Sequence, residues 1–322
     1  MGNKSALVTG GAGFIGSHVA DRLLTADYDV TILDNLSSGR RENLPANARF
    51  IEADITSPEA AQVVRDGAFD VMCHLAAQID VRRSMDDPAY DARINIIGTL
   101  NLLEAIRSAS PGTRVVFSST GGALYGDFDP PPSGERTGKD PEAPYGIAKL
   151  AVEYYLAYYG RVHGIDTVAL RYGNVYGPRQ DPHGEAGVVA IFCNRLLDER
   201  ALMIYGDGTQ TRDYVYAGDV AAANVLAAGA TLPPAARLDA RAFNIGTGVE
   251  TTVNALAASL QRAAGSTTPI DHALPRAGEL LRSALNTHKA QDVLGWSPSV
   301  SVDEGLAETF RWFAARRAGA TA

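Results

Sequence analysis

Tyr145 and Lys149 stand four residues apart behind Pro144, in Pro144-Tyr145-Gly146-Ile147-Ala148-Lys149. Proline suits the first turn of a helix, and a spacing of four puts the phenol and the ammonium on one helix face. The chemistry that wants this pair is removal of a proton from an alcohol while hydride leaves. A tyrosine titrates near ~10, so action near pH 7 needs a drop of about three units, or ~4 kcal/mol. One cation ~4 Å away at an effective dielectric of ~20 supplies about that much, so Lys149, helped by a positively charged hydride acceptor, is sufficient in magnitude. Alone the pair is not specific, since both residue types are common on exposed helices. A third partner, a hydroxyl that bonds the substrate oxygen, is expected in Phe117-Ser118-Ser119-Thr120-Gly121-Gly122. Thr120 is favoured over Ser119, and both stay candidates.

Hydride needs an acceptor, and the chain start offers a site for one. An apolar run, Ala6–Thr9, leads into Gly10-Gly11-Ala12-Gly13-Phe14-Ile15-Gly16 and then a helical pattern. GxGxxG from Gly11 and GxxGxxG from Gly10 both fit. Glycines there allow a tight turn, close approach of a pyrophosphate and close helix packing, with the phosphates on the helix N-terminus. Asp34, eighteen residues past Gly16, ends the second apolar run. A carboxylate there accepts the ribose 2′-hydroxyl and repels a 2′-phosphate, which favours NAD over NADP. Asp54 and Ile55 follow the third run, at the adenine edge. Ala76, Ala77 and Gln78 follow the fourth, where small residues admit the cofactor. His74 reads as a packed strand-end residue rather than a catalyst.

The elements around these residues follow from periodicity. Strands are expected at Ala6–Thr9, Val30–Leu33, Arg49–Glu52, Val71–His74, Arg114–Ser118 and Asp166–Leu170, as continuous apolar runs. Helices are expected between them, among them Phe14–Leu24 and Ile94–Ser108, then Val188–Asp198, Ala217–Ala228, Val253–Ala264 and Val302–Arg316. A short strand falls at Arg241–Ile245. Gly177–Gly187 reads as a long loop, and Asp127–Lys139, with three prolines and two glycines, as an exposed one. The expected class is α/β: a doubly wound parallel Rossmann-type sheet with a smaller C-terminal α/β substrate domain. The cofactor domain spans 1–175, with 217–262 returning to it; the substrate domain spans 176–216 and 263–322.

Composition excludes other readings. The 322 residues carry 29 Lys+Arg against 37 Asp+Glu, a net charge of −8, which argues against nucleic acid and anionic membrane as partners. Cys73 and Cys193 lie far apart without CxxC spacing, so neither a disulfide scaffold nor a zinc site is expected, and no metal is called for. No apolar run approaches the ~20 residues of a membrane span. A strand-like run opens almost at once where a signal peptide would stand, and Ala6 breaks a myristoylation start. A cytoplasmic location is expected.

Several motifs in one order carry a resemblance. Besides the glycine turn, the strand-five hydroxyls and Tyr145/Lys149, they are Ala76-Ala77-Gln78, Asn95-Ile96-Ile97-Gly98-Thr99 and Arg171-Tyr172-Gly173-Asn174-Val175-Tyr176-Gly177-Pro178. Gly206-Asp207-Gly208 through Arg212-Asp213-Tyr214-Val215, Asn244-Ile245-Gly246-Thr247-Gly248, Arg276-Ala277-Gly278-Glu279 and Leu294-Gly295-Trp296 continue the series. The chain resembles the extended short-chain dehydrogenase/reductase superfamily and, within it, the UDP-glucose 4-epimerase family, over nearly its whole length. The resemblance implies NAD as cofactor, contacted also by Phe14, Ile15, Asn35, Ser37, Ser38, Gly39, Leu75, Asn95, Ser118 and Tyr172. It implies that Asn174 contacts the phosphates of a UDP-sugar and that Arg212 and Arg276 clamp them. Glu279 would meet the uridine ribose, and Gly187, Val188, Val189 and Tyr205 would complete the nucleotide site. A homodimer through Ile94–Ser108 and Tyr145–Tyr159 is implied as well. One departure is the Gly121-Gly122 pair: Tyr125 lies five residues past Thr120, where the family commonly has four.

Related dehydratases add an acidic pair after the strand-five threonine, and decarboxylases keep a glutamate there. Here Gly121, Gly122 and Ala123 stand in those places. Elimination needs an acid and a base at neighbouring carbons, so oxidation at C4 and return to the other face is expected. A net nucleotide-sugar oxidoreductase and a non-catalytic NAD sensor are the other classes. UDP-glucose/UDP-galactose is the leading substrate pair. Ser283 aligns where a small residue leaves room for an N-acetyl group, and Arg82-Arg83 can either face a glucuronate or form a solvated helix start.

Overall fold

The computed structural model describes residues 3–127, 129–182, 187–275 and 280–320. Its first half alternates as the apolar runs predict: β1 (Lys4–Thr9), α1 (Phe14–Thr25), β2 (Tyr28–Asp34), β3 (Arg49–Glu52), α2 (Pro58–Gly67), β4 (Val71–His74), α3 (Val81–Asp86), α4 (Pro88–Ala92), α5 (Thr99–Ala109), β5 (Arg114–Thr120), α6 (Pro144–His163) and β6 (Thr167–Tyr172). Then come β7 (Asn174–Tyr176), α7 (Val188–Leu197), β8 (Leu202–Tyr205), β9 (Thr211–Arg212), β10 (Tyr214–Tyr216), α8 (Ala217–Gly229) and β11 (Ala242–Ile245). β12 (Thr251–Thr252), α9 (Val253–Ala264), β13 (Ile270–Ala273), α10 (His288–Leu294) and α11 (Val302–Ala320) complete the order.

Seven strands form one parallel sheet in the order β11-β6-β5-β4-β1-β2-β3. Both faces are covered, which is why the strands read as unbroken apolar runs. Ala6 and Val8 of β1 enter one core with Val19 and Leu23 of α1 and Val220 of α8. Leu7 enters the other, with Val64 of α2 and Leu103 and Ile106 of α5. A third core joins Tyr176, Phe192, Leu202, Ile204, Leu256 and Leu306. α9, inside the 217–262 stretch, packs there with α7 and α11 rather than on the large sheet. The strand order reverses at β1, between β2 and β4, and such a reversal opens a crevice at the strands' carboxyl ends.

Two expectations change. The single helix over Ile94–Ser108 divides into a π-helical turn, Arg93–Gly98, followed by α5. Such turns are frequent at functional sites, and this one faces Asn95 inward, where its side chain bonds both backbone groups of Gln78. The Asp127–Lys139 loop is not simply exposed. Glu135 is buried, its Oε1 accepting from Asn244 N at 2.9 Å, and its carbonyl accepts from Arg171 Nη1 at 3.0 Å. Arg171, fully buried on β6, also donates to both carboxylate oxygens of Glu153 on α6, to Asp239 at 2.8 Å and to the Tyr125 hydroxyl at 3.0 Å. That ion pair ties the loop after β5 to α6.

Candidate active site

A cleft runs along the carboxyl ends of the strands. Gly10, Gly13, Phe14, Ile15 and Gly16 line its floor; Asp34, Asn35, Ser37, Ser38, Asp54 and Ile55 one wall; Leu75, Ala76 and Ala77 the other. Gly10 has φ +72°, and an added Cβ would lie 2.6 Å from Ala76 N, so glycine is required twice over. Gly13 caps α1 and has no side chain to occupy the first-turn N–H groups, which leaves them for phosphate. Asp34 is buried, its oxygens accepting from Ala12 N at 3.0 Å and Leu36 N at 2.8 Å. A carboxylate has lone pairs beyond those two, and burial pushes its pKa above the ordinary range. Asn35 donates to Asp54 at 2.7 Å, and Gly39 lies against Asp34 rather than in the cleft. The glycine cradle and the carboxylate at its end fit a dinucleotide.

Ser118, Thr120, Tyr145, Lys149, Tyr172 and Asn174 line the far end. An added Cβ on Gly146 would meet Ala123 O at 2.6 Å, so the start of α6 is pressed onto the loop after β5. That contact holds Tyr145 in the cleft that Ser118, Ser119 and Thr120 also line. Thr120 is the last residue of β5, paired with Tyr172, and Gly121 N donates to Tyr172 O at 2.7 Å. The extra glycine is accommodated there because Leu285 packs where a Cβ would stand. The Ser119 hydroxyl donates to Glu153 Oε1 at 2.5 Å. Tyr172 accepts at its hydroxyl from Asn224 Nδ2 at 2.8 Å.

Lys149 is buried; its ammonium donates to Ser118 O at 2.8 Å and lies 5.8 Å from the Tyr145 ring centroid. Burial brings Lys149 down to about 8, against the opposing pull of Asp91 and Glu153. The lowering expected of Tyr145 is not delivered by the chain alone. Burial drives the phenol upward and the Asp91 charge adds to it, because a dehydrated phenolate costs more than one nearby ammonium returns. His74, buried on β4, is held down to about 3 by burial, with the Lys149 charge adding.

The remaining candidates do not line this cleft. Gln78 and Asn95 are buried beneath it and bonded to each other. Val189 lies in the third core, and Gly187 abuts Gln180, which does line the cleft. Tyr205 borders a separate depression with Gln210, His272 and Leu281. Arg212 is partly buried on β9 and donates to Thr211 O at 2.7 Å. Arg276 and Glu279 lie outside the described residues. Arg82 and Arg83 are exposed on α3, Arg83 stacked 4.1 Å over the Tyr90 ring, and neither lines the cleft. Sequence reasoning missed Ala53, Ile79, Ile94, Gly173, Val175 and Gln180 as lining residues, and, beneath the cleft, Asp91, whose single signal was its place one helical turn before Asn95.

Among the described residues no helix is long and apolar enough to cross a membrane, and no group of His, Cys, Asp and Glu side chains is disposed to hold a metal ion.

The strand order, the glycine turn feeding α1 and a tyrosine–lysine pair at the far end define a dinucleotide-dependent enzyme of the Rossmann class. Residues 6–246 match the NAD-dependent epimerase/dehydratase family, and the chain belongs to that family. It is 45% identical over 312 residues to a UDP-glucose 4-epimerase of Mycolicibacterium smegmatis, covering 95% of this chain and 97% of the relative. The structure of a Thermotoga maritima UDP-glucose 4-epimerase with UDP-glucose superposes with a TM-score of 0.92 at 46% identity, covering 97% of this chain and 99% of the other. A Thermus thermophilus UDP-glucose 4-epimerase in complex with NAD gives 0.88 at 42% identity, covering 96% and 99%.

Proposed function

We propose that the protein is an NAD-dependent 4-epimerase that interconverts UDP-glucose and UDP-galactose. The observation that carries this is Tyr145 and Lys149 lining the far end of a cleft that begins at the Gly10–Gly16 turn. Its support is the identity of 42% to 46% with proteins named for that reaction. When bound, NAD takes up a hydride and later returns it. Tyr145 accepts the 4-hydroxyl proton and gives it back after the 4-keto sugar has turned over. Lys149 favours the phenolate by its charge, and Thr120 bonds the reacting oxygen. The Ser119 hydroxyl is committed to Glu153, which supports Thr120. Gly121, Gly122 and Ala123 offer no acid or base for elimination, which supports epimerisation over dehydration.

On the substrate side, Asn174, Arg212 and Arg276 meet the diphosphate, since guanidinium forks suit phosphate oxygens. Glu279 meets the uridine ribose, and Gly187, Val188, Val189 and Tyr205 enclose the base. The enzyme works as a homodimer through α5 and α6. Support comes from the apolar residues that α6 leaves exposed, Ile147, Tyr154, Tyr155, Tyr158 and Val162, with Ile97 beside them; a patch of this kind marks an interaction surface. Cys73 and Cys193 are unpaired and buried, which fits a cytoplasmic enzyme. Ser283 stands two residues before Leu285, which packs on Gly121; its small size favours including an N-acetylated sugar among the substrates tested.

Protein as purified, given UDP-galactose, UDP-N-acetylglucosamine and UDP-glucuronate in turn, should convert UDP-galactose to UDP-glucose without added cofactor, followed by proton NMR. Conversion of none, or turnover that consumes added NAD(P)H, overturns the assignment.

A further inference from the structure

Asp91, on α4, is 1% exposed. Its Oδ1 accepts from two neutral amides, Gln78 Nε2 and Asn95 Nδ2, each at 3.0 Å. Its Oδ2 is buried with no hydrogen-bond partner. A buried carboxylate in that condition is costly unless an opposite charge lies near. Lys149 is the matching case: 3% exposed, its ammonium donates to a neutral carbonyl. Glu153, the other carboxylate that acts on Lys149, is engaged by Arg171 and Ser119. Both α4 and the Arg93–Gly98 turn pack on α6, and the Asp91 charge is felt at Lys149 and at Tyr145.

We propose that Asp91 is a positioning residue, the buried counter-charge of the Tyr145–Lys149 pair, and that it fixes the pH range in which Lys149 is an ammonium while Tyr145 exchanges its proton. The proposal deepens the epimerase reading and uses that reaction as one of its assays. The other charged or titratable groups around Asp91 are few. α6 contributes Lys149, Tyr145 and the already paired Glu153; β4 contributes His74, which burial keeps neutral. The turn before α3 contributes the half-buried Asp80, whose carboxylate accepts from Arg83 N at 2.9 Å and whose backbone bonds the Gln78 side chain, and α4 contributes the half-buried Tyr90 beneath Arg83. α3 and the following turns contribute Arg82, Arg83, Asp86, Asp87 and Arg93, all exposed and therefore screened by water.

A negative charge favours the protonated form of both partners, so removing it lowers the pKa of Tyr145 and of Lys149 together. Asp91→Asn is a clean removal, because the amide oxygen keeps both hydrogen bonds and its NH2 falls where Oδ2 has no partner. In holoenzyme, both limbs of the kcat–pH profile should move to lower pH by about one unit, the effect of one charge ~10 Å away at a dielectric of ~20. Asp91→Glu should leave the limbs in place, and Asp91→Ser carries the same test as Asn should Asn not fold. A structural role lowers the amplitude and moves neither limb. NMR of 15N-lysine-labelled protein reads the Lys149 titration without turnover, and its midpoint should fall in Asp91→Asn. Unmoved limbs, or an unmoved midpoint, overturn the proposal. Wild type without epimerase activity overturns the functional reading instead, and the lysine titration still decides this one.

Discussion

The two ends of the cleft are made in different ways. At the cofactor end, each lining segment follows a strand of the one sheet: Gly10–Gly16 after β1, Asp34–Ser38 at the end of β2, Asp54 and Ile55 after β3, Leu75–Ala77 after β4. The sheet's register alone brings them together. At the substrate end, segments distant in sequence meet around a buried carboxylate. Asp213, fully buried, accepts from Thr247 N at 2.6 Å, Thr247 Oγ1 at 2.7 Å, Gly248 N at 3.0 Å and Leu285 N at 3.0 Å. It thereby binds the strand beside Arg212 to the turn after β11 and to the segment that packs on Gly121. One end is specified by strand order, the other by long-range polar contacts centred on Asp213, with Glu250 joining Thr211 and Arg282 beside it.

Tyr145 stands where the ends meet, and its loss should be the largest effect. Tyr145→Phe should lower kcat by about 10²–10⁴-fold while retained NAD and the affinity for UDP-sugar stay near wild type. Near-normal turnover would remove Tyr145 from the chemistry. Asp213→Asn tests whether the ends are separable. It takes the charge from a carboxylate that accepts bonds from three N–H groups and a hydroxyl, so a stability loss of about 2–4 kcal/mol is expected in urea titration. KM for UDP-galactose should rise and bound NAD should not fall. Loss of NAD with KM unchanged would reverse the division.

The same contrast governs what could be read from the sequence. Most strands were legible because both faces of the sheet are covered, so Val71–His74 and Ala6–Val8 carry a continuous apolar signal; the edge strand Arg49–Glu52 is only half-buried and its signal is two residues, Phe50 and Ile51. The glycine turn and Tyr145/Lys149 were legible because local geometry needs those residue types at those spacings. The Arg171–Glu153 pair was not, since nothing in Thr167–Tyr172 says which buried partner lies eighteen residues earlier on α6. Nor was the π-helical turn, in which Asn95 reaches back to a residue seventeen positions earlier, Gln78. That the chain's own groups do not lower Tyr145 has a related reason: spacing gives the neighbouring cation but not the dehydration that opposes it. Arg276 and Glu279 were legible as motif and lie outside the described residues.

Acid supplies the gentlest probe of the cofactor end. Thr99 Oγ1 donates to Asn95 O at 2.7 Å, so toward His74 it must accept, and His74 Nε2–H donates to it at 2.8 Å. Nδ1 then accepts from Thr9 Oγ1 at 2.7 Å, which fixes one neutral tautomer. The ring stays neutral in the folded protein to about pH 3, against 6.5 when unperturbed. Between those values the unfolded chain binds one more proton than the native state. Native stability therefore falls as pH drops below 6.5, at up to ~1.4 kcal/mol per pH unit from this residue. Unfolding free energies by urea at pH 7 and pH 5 should fall by about 2 kcal/mol more for wild type than for His74→Asn, whatever the variant loses at neutral pH. Parallel curves would mean that water reaches the ring, and that the strand ends beneath the cofactor are no drier than the loops around Asp213.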